Sequence, residues 1–269
     1  MNIETVKLSE KYGIDGNATL KCFVHDRDEE MKRYNVDLPA MIVCPGGGYC
    51  FTSRREADPI AVEFYNRKYA TFVLNYDVAP YRYPVALTEF AAAVDYVRSN
   101  AEKFSVNPNR IFVVGFSAGG HLVANLANFW HNLPVSEANG KKLDAKPNAT
   151  ILGYPVIMPP THAGSFINLT GIEDISDPRV QALSLEKSVT ELNPPCFIWT
   201  TAADNAVNPD ATIQYTIALK KAGVRYETHI FADGYHGLAT AEERTNPDGT
   251  DFPARVWFDL ADTFLHTVK

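Results

Sequence analysis

Ser117 stands in Gly115-Phe116-Ser117-Ala118-Gly119, a G-x-S-x-G pattern between the apolar run IFVVGF (111–116) and the segment HLVANLANFW (121–130). A lone hydroxyl where a strand becomes a helix suits a nucleophile raised on a sharp turn. Larger neighbours there would clash with strand or helix. The helix N-terminus beneath the hydroxyl favours developing negative charge. Glycines at such a turn also serve packing alone, so the assignment rests on a base, an orienting acid and an oxyanion site elsewhere in the chain.

A serine hydroxyl is a poor nucleophile until a base takes its proton. Of seven histidines, His236 lies in the glycine-flanked loop ADGYHGLA, just after the last strand-like run. His121 belongs to the helix after the turn and reads as a packing or capping residue. His25 and His229 fall within strand-like runs, and His266 in the last helix; His131 and His162 occupy loops without a distinctive frame. The base needs a carboxylate to fix its tautomer and stabilise the imidazolium. Where the nucleophile sits on a strand–turn–helix of this kind, the order along the chain is serine, then Asp or Glu, then histidine. Asp204, just past the apolar run CFIWTT, fits that order. Asp210 reads as the start of a helix, Asp233 is too local to His236, and Asp174 and Asp177 lie in an irregular stretch. For the tetrahedral oxyanion, CPGGGYC (44–50) offers backbone amides at Gly47 and Gly48, with the Ala118 amide as a third donor.

The elements that must position these groups alternate along the chain. TLKCFVH, AMIVC, YATFVLNY, IFVVGF, ATILGYPV, PCFIWTT and YETHIF read as strands. A charged turn is expected at DRDEEMKRYNVD. Helices are expected over ADPIAVEFYNRK, ALTEFAAAVDYVRSNAEKF (86–104), HLVANLANFW and PARVWFDLADTFLHTV, with a turn at VNPNR. Apolar rather than alternating strands indicate a mostly parallel sheet covered by helices on both faces, an α/β fold with ligands at the carboxyl ends of its strands. No boundary or repeat divides the chain, so residues 1–269 are expected to form one domain. The long irregular segment 157–195 is expected to be a small cap beside the site, with a short helix near Pro178 to Leu183.

Composition narrows the function. At 269 residues and 46% hydrophobic content the chain can bury a large core. A net charge of −7 without a long basic cluster argues against a nucleic-acid surface, and no apolar run is long enough for a membrane span. The N-terminal residues lack the apolar core of a signal peptide, which suggests a cytoplasmic protein. Cys22, Cys44, Cys50 and Cys196 are scattered without a paired spacing. Cys44 and Cys196 read as buried thiols, and neither zinc nor a disulfide framework is indicated.

With these motifs assembled, the sequence resembles the α/β-hydrolase superfamily, in the esterase branch related to hormone-sensitive lipase. The resemblance runs through PGGGY (45–49), NYDVAPYRYPVAL (75–87), NPNRIFVVGFSAGGHL (107–122), Asp204 and GYHGL (234–238). Within that branch it is most similar to carbohydrate acetyl esterases of the acetyl-xylan esterase type, on the glycine loop followed by Ser-Arg-Arg-Glu-Ala at 53–57. The resemblance implies Ser117, Asp204 and His236 as the triad and Gly47, Gly48 and Ala118 as oxyanion donors. Two positions depart from it: Pro45 replaces the histidine of the lipase-type His-Gly-Gly-Gly, and Asp77 stands where many relatives carry arginine. No large lipase lid is visible, so small polar esters are expected.

The leading expectation is a serine esterase that removes acetyl groups from sugars or xylo-oligosaccharides through an acyl-enzyme, with no metal or organic cofactor. Tyr49, Tyr81, Tyr83 and Trp199 are candidates for a sugar-binding face. The same triad could serve an amidase, of arylformamidase or peptidase type, or a general short-chain carboxylesterase. A non-catalytic binding module would be expected to lack one of these groups. The oligomeric state is left open.

Overall fold

The computed structural model describes residues 1–25, 30 and 37–268. The charged turn expected at 26–37 lies, apart from Glu30 and Asp37, outside the described residues. The chain opens with β1 (Asn2–Lys7), α1 (Leu8–Tyr12), β2 (Thr19–Val24) and β3 (Leu38–Cys44). It continues through α2 (Asp58–Asn66), β4 (Ala70–Asn75), α3 (Val85–Ser99), α4 (Ala101–Phe104), β5 (Val106–Phe116) and α5 (Ala118–Phe129). After a small hairpin of β6 (Glu137–Ala138) and β7 (Lys141–Lys142) come β8 (Ala149–Gly153), α6 (Ala163–Thr170) and α7 (Pro178–Gln181). The last elements are β9 (Cys196–Thr201), α8 (Asp210–Lys221), β10 (Tyr226–Phe231) and α9 (Trp257–His266).

Eight strands form one sheet in the order β1-β2-β4-β3-β5-β8-β9-β10. The β1–β2 and β2–β4 pairs are antiparallel, and every other pair is parallel. The central strands β3, β5, β8 and β9 have buried side chains over nearly their whole apolar lengths, because helices cover both sides. On one face Phe90 and Val94 of α3, Leu122 of α5 and Leu219 of α8 pack on the sheet. On the other, Ile60 and Phe64 of α2 meet Trp257, Phe258 and Phe264 of α9. Each such buried side chain contributes about 1.5–3 kcal/mol of hydrophobic stabilisation.

Three local expectations are corrected. The helix expected over 86–104 breaks at Asn100, whose Nδ2 donates to the Tyr96 carbonyl at 2.8 Å, so α3 and α4 are separate. An asparagine amide bonded to a carbonyl four residues back competes with the helix ladder. The turn expected at VNPNR is instead incorporated into β5. Leu38 pairs with Val106 and Ala40 with Ile111, so the intervening residues bulge from the ladder rather than leave it. The last helix is shorter than its periodicity: residues 253–256 are a 3₁₀ turn leading into α9. The irregular segment carries α6 and α7, and α7 overlaps the short helix expected near Pro178.

The register gathers the site. Gly115 pairs with Cys44 and Leu152, and Thr201 with Phe231, so β3, β5, β9 and β10 end on one edge of the sheet. The glycine loop, Ser117, Asp204 and His236 all follow within a few residues of those ends. Among the described residues, no helix is long and apolar enough to cross a membrane.

Candidate active site

Ser117 lies between β5 and α5 with φ 52° and ψ −119°. A side-chain-bearing residue in that region is strained by about 1–3 kcal/mol and persists only where its surroundings over-determine it. Here they do: the Ser117 N–H donates to Gly153 O at 3.1 Å, and its carbonyl accepts from His121 N at 3.1 Å and Val156 N at 3.0 Å. The turn also depends on absent side chains. A Cβ on Gly119 would fall 2.2 Å from the Cys44 carbonyl oxygen, and one on Gly46 would fall 2.9 Å from Ser117 Cβ. Helix α5 therefore starts against the end of β3, beside the glycine loop.

Ser117 Oγ is 2.8 Å from His236 Nε2, and His236 Nδ1 is 2.8 Å from Asp204 Oδ2. The Asp204 side chain is only 1% exposed, against 18% for His236. Its other oxygen, Oδ1, accepts the N–H groups of Ala206 and Val207, each at 2.9 Å. Those bonds hold the carboxylate still with Oδ2 aimed at the ring, so Nδ1 carries the imidazole proton and Nε2 presents its lone pair to the serine. The His236 loop is fixed at several points. His236 N donates to Asn205 Oδ1 at 3.2 Å, and Arg55 Nη1 donates to Gly237 O at 2.9 Å. The imidazole stands edge-on to the Tyr154 ring, with centroids 5.0 Å apart.

The glycine loop crosses in front of Ser117. Gly47 has φ 126°, and a Cβ there would fall 2.0 Å from the Phe51 carbonyl oxygen, so no other residue fits this turn. The loop is anchored by Glu56, a buried carboxyl whose Oε2 accepts from Gly46 N at 2.8 Å and whose Oε1 accepts from Tyr154 Oη at 2.7 Å. The Tyr154 hydroxyl in turn accepts from Ala239 N at 2.9 Å. Burial first, and then Glu56, raise the Tyr154 hydroxyl well above the ordinary phenol range, so it remains a donor. Ala118 occupies the first turn of α5, where its amide has no acceptor within the helix. These groups border a cavity of about 330 Å³ whose lining includes Gly47, Gly48, Ser117, His162, Asn168 and His236. A relayed proton, an activated hydroxyl and backbone donors around one cavity are the parts needed for acyl transfer through a covalent intermediate.

Of the expected site residues, Ser117, Asp204, His236, Gly47, Gly48 and Ala118 converge here. The aromatic candidates do not. Tyr49 is buried with its hydroxyl 2.9 Å from His121 Nδ1, and Trp199 is wholly buried. Tyr81 is on the surface, accepting from Asn17 Nδ2, and Tyr83 packs against the core; neither lines the cavity. His121 packs as expected, and burial lowers it to about 4, a neutral ring bridging Tyr49 and the Leu183 carbonyl. Four contributors had no role assigned from sequence: Arg55, Glu56, Tyr154 and His162. The first two sit in the Ser-Arg-Arg-Glu-Ala stretch that carried part of the resemblance. Among the described residues, no group of three or more His, Cys, Asp or Glu side chains is arranged to hold a metal ion.

Comparison with known proteins gives the same architecture. Residues 41–240 match the model of a family described as having the alpha/beta hydrolase fold. The chain is 33% identical over 82% of its length to endo-1,4-beta-xylanase B of Butyrivibrio fibrisolvens, and 30% identical over 83% to an acetylxylan esterase of Xylanibacter ruminicola. These matches span only 35% and 44% of those two proteins. Among solved structures, an acetyl ester-xyloside bifunctional hydrolase from Caldicellulosiruptor lactoaceticus superimposes with a TM-score of 0.83 at 29% identity. That match covers 98% of this chain and 96% of the other.

Proposed function

The chain belongs to the α/β-hydrolase fold family, and on that premise we propose that it is a serine esterase that removes acetyl groups from sugars or xylo-oligosaccharides. The observation that carries this reading is the continuous chain of hydrogen bonds from Ser117 Oγ through His236 to Asp204, with 2.8 Å at each link. In the proposed cycle Ser117 Oγ attacks the acetyl carbonyl while His236 Nε2 takes the hydroxyl proton. Asp204 stabilises the imidazolium, and the Gly47, Gly48 and Ala118 amides receive the oxyanion. His236 hands its proton to the departing sugar oxygen, leaving Ser117 acetylated. Water then enters, loses a proton to His236 and releases acetate, which restores the serine.

The acyl group and the alcohol are inferred from two supports. The cavity, about 330 Å³, is at the small end for ligand sites, which suits an acetyl group with a compact alcohol. The relatives include proteins described as an acetylxylan esterase and an acetyl ester-xyloside hydrolase. We take residues 1–269 as one α/β-hydrolase unit, in which segment 157–195 caps the site by lending His162, Gly164 and Asn168 to the cavity wall. The test is acetate release from acetylated xylo-oligosaccharides, measured beside 4-nitrophenyl acetate and octanoate. Wild type is expected to act on the sugars and the acetate and to prefer both to the octanoate. Ser117→Ala is expected to lose about 10³-fold or more in kcat on each. Hydrolysis of nitrophenyl acetate without the sugars would remove the carbohydrate substrate, and a fully active alanine variant would remove the mechanism.

A further inference from the structure

We propose that His162 is a substrate-binding residue whose Nε2–H donates a hydrogen bond to an oxygen of the sugar next to the scissile ester. The inference rests on the deacetylase reading above and adds the group that recognises the alcohol half. His162 is the N-cap of α6, and its ring replaces the usual short polar side chain: Ser165 N donates to Nδ1 and to the His162 carbonyl, each at 3.2 Å, and Nδ1 lies 2.9 Å from Ser165 Oγ. A backbone N–H can only donate, so Nδ1 carries the lone pair and the proton of the neutral ring resides on Nε2. Among the described residues no protein group accepts from Nε2. The ring itself lines the cavity that holds Ser117 and His236. A donor without a protein partner, on a ring that lines a ligand cavity, is suited to fixing a ligand's orientation.

Two further observations set the ring's place. Helix α6 is tied to the glycine loop by Asn168 Nδ2, which donates to Gly48 O at 2.9 Å, and to the segment after β4 by Tyr83 N, which donates to Leu169 O at 2.8 Å. His162 therefore keeps a set position relative to the oxyanion loop. It also lies on the His236 side: burial first, and then the neighbouring His236, hold it below the ordinary imidazole range. The alcohol half must leave on that side, since His236 protonates it. A neutral donor is suited to the position, because a second positive ring would oppose the imidazolium that His236 becomes in the transition state.

Two substitutions separate recognition from support. His162→Asn places an amide oxygen where Nδ1 stands, so the cap of α6 is kept and the Nε2 donor is lost. His162→Gln places an amide nitrogen near the Nε2 position but gives up the cap. With acetylated xylo-oligosaccharide and 4-nitrophenyl acetate measured in parallel, His162→Asn is expected to lower the ratio of kcat/KM for sugar over aryl ester about tenfold. The loss should lie chiefly in KM. His162→Gln should hold that ratio within about threefold of wild type while melting at a lower temperature than the asparagine variant. An unchanged ratio in His162→Asn, or the same drop in both variants, overturns the assignment while the deacetylase reading stands. A wild type that cleaves the aryl ester but no sugar acetate overturns both.

Discussion

Asp204 has two oxygens with two duties, and their separation predicts what its amide would do. Oδ1 is held by the Ala206 and Val207 amides, and Oδ2 faces His236 Nδ1. In Asp204→Asn the side-chain oxygen would stay with the two backbone donors, because the alternative sets two pairs of donors against each other. The amide nitrogen then points at the imidazole, and Nδ1 must become an acceptor. The ring proton moves to Nε2, where it faces Ser117 Oγ and removes the base. The expected outcome is a fall of about 10³–10⁴ in kcat on 4-nitrophenyl acetate with KM little changed and the fold intact, read by steady-state kinetics and circular dichroism. A variant within tenfold of wild type would show that His236 does not need this partner.

At the scale of elements, the loop after β4 and helix α3 meet through two carboxyl groups. Glu89 is wholly buried on α3 and its Oε2 accepts from Asp77 N at 2.8 Å. Asp77 Oδ2 accepts from Asn17 N at 2.5 Å. Burial pushes Glu89 up to about 9; the hydrogen bond from Asp77 N opposes that rise, and the Asp77 carboxyl adds to it. A carboxyl raised in this way binds its proton more tightly when folded than unfolded. Its stabilising effect is complete below the unfolded value near ~4.3, and is lost as pH rises towards about 9, at up to ~1.4 kcal/mol per pH unit. Glu89→Gln mimics the protonated form. It should match wild type in Tm near pH 4 and exceed it by a growing margin up to pH 9, as followed by thermal melts in a pH series; parallel curves would contradict the buried proton. Asp77 was visible in the sequence as a departure from arginine, but its partner was not, because nothing in a helical stripe reveals which glutamate faces a particular loop. The same division holds elsewhere. Strands β3, β5 and β9 were legible as apolar runs because both their faces are covered, whereas β1, largely exposed, and the β6–β7 hairpin carry no such run. Ser117, Asp204 and His236 could be picked by chain order and by their places after strands. Arg55 reaching the Gly237 carbonyl across 182 positions, and a cap made by the His162 ring, depend on tertiary packing that periodicity does not encode.

Across the whole molecule, the helix layer opposite α5 also reaches the site. Trp257, on the last helix, is wholly buried, stacks on Trp199 at 5.4 Å, and donates from Nε1 to the Ala239 carbonyl at 3.1 Å. Ala239 N donates to Tyr154, Tyr154 donates to Glu56, and Glu56 holds Gly46 of the glycine loop. This chain runs from the C-terminal helix to the loop that faces Ser117, and passes the ring against which His236 stands. Buried hydrogen-bond series of this kind are expected to act as a unit, because breaking one link leaves its neighbours unpaired in a dry layer. Trp257→Phe removes the donor to Ala239, and Tyr154→Phe removes both the acceptor for Ala239 N and the donor to Glu56. Each is expected to cost about 1–3 kcal/mol in urea unfolding. If the links are coupled, the double variant should fall short of the sum by more than about 0.5 kcal/mol, since the second cut severs a chain already broken. Additive losses would mean that α9 supports the sheet without reaching the glycine loop. Coupled losses, with kcat reduced in Trp257→Phe although Trp257 touches neither Ser117 nor the cavity, would make the final helix part of what holds the site in place.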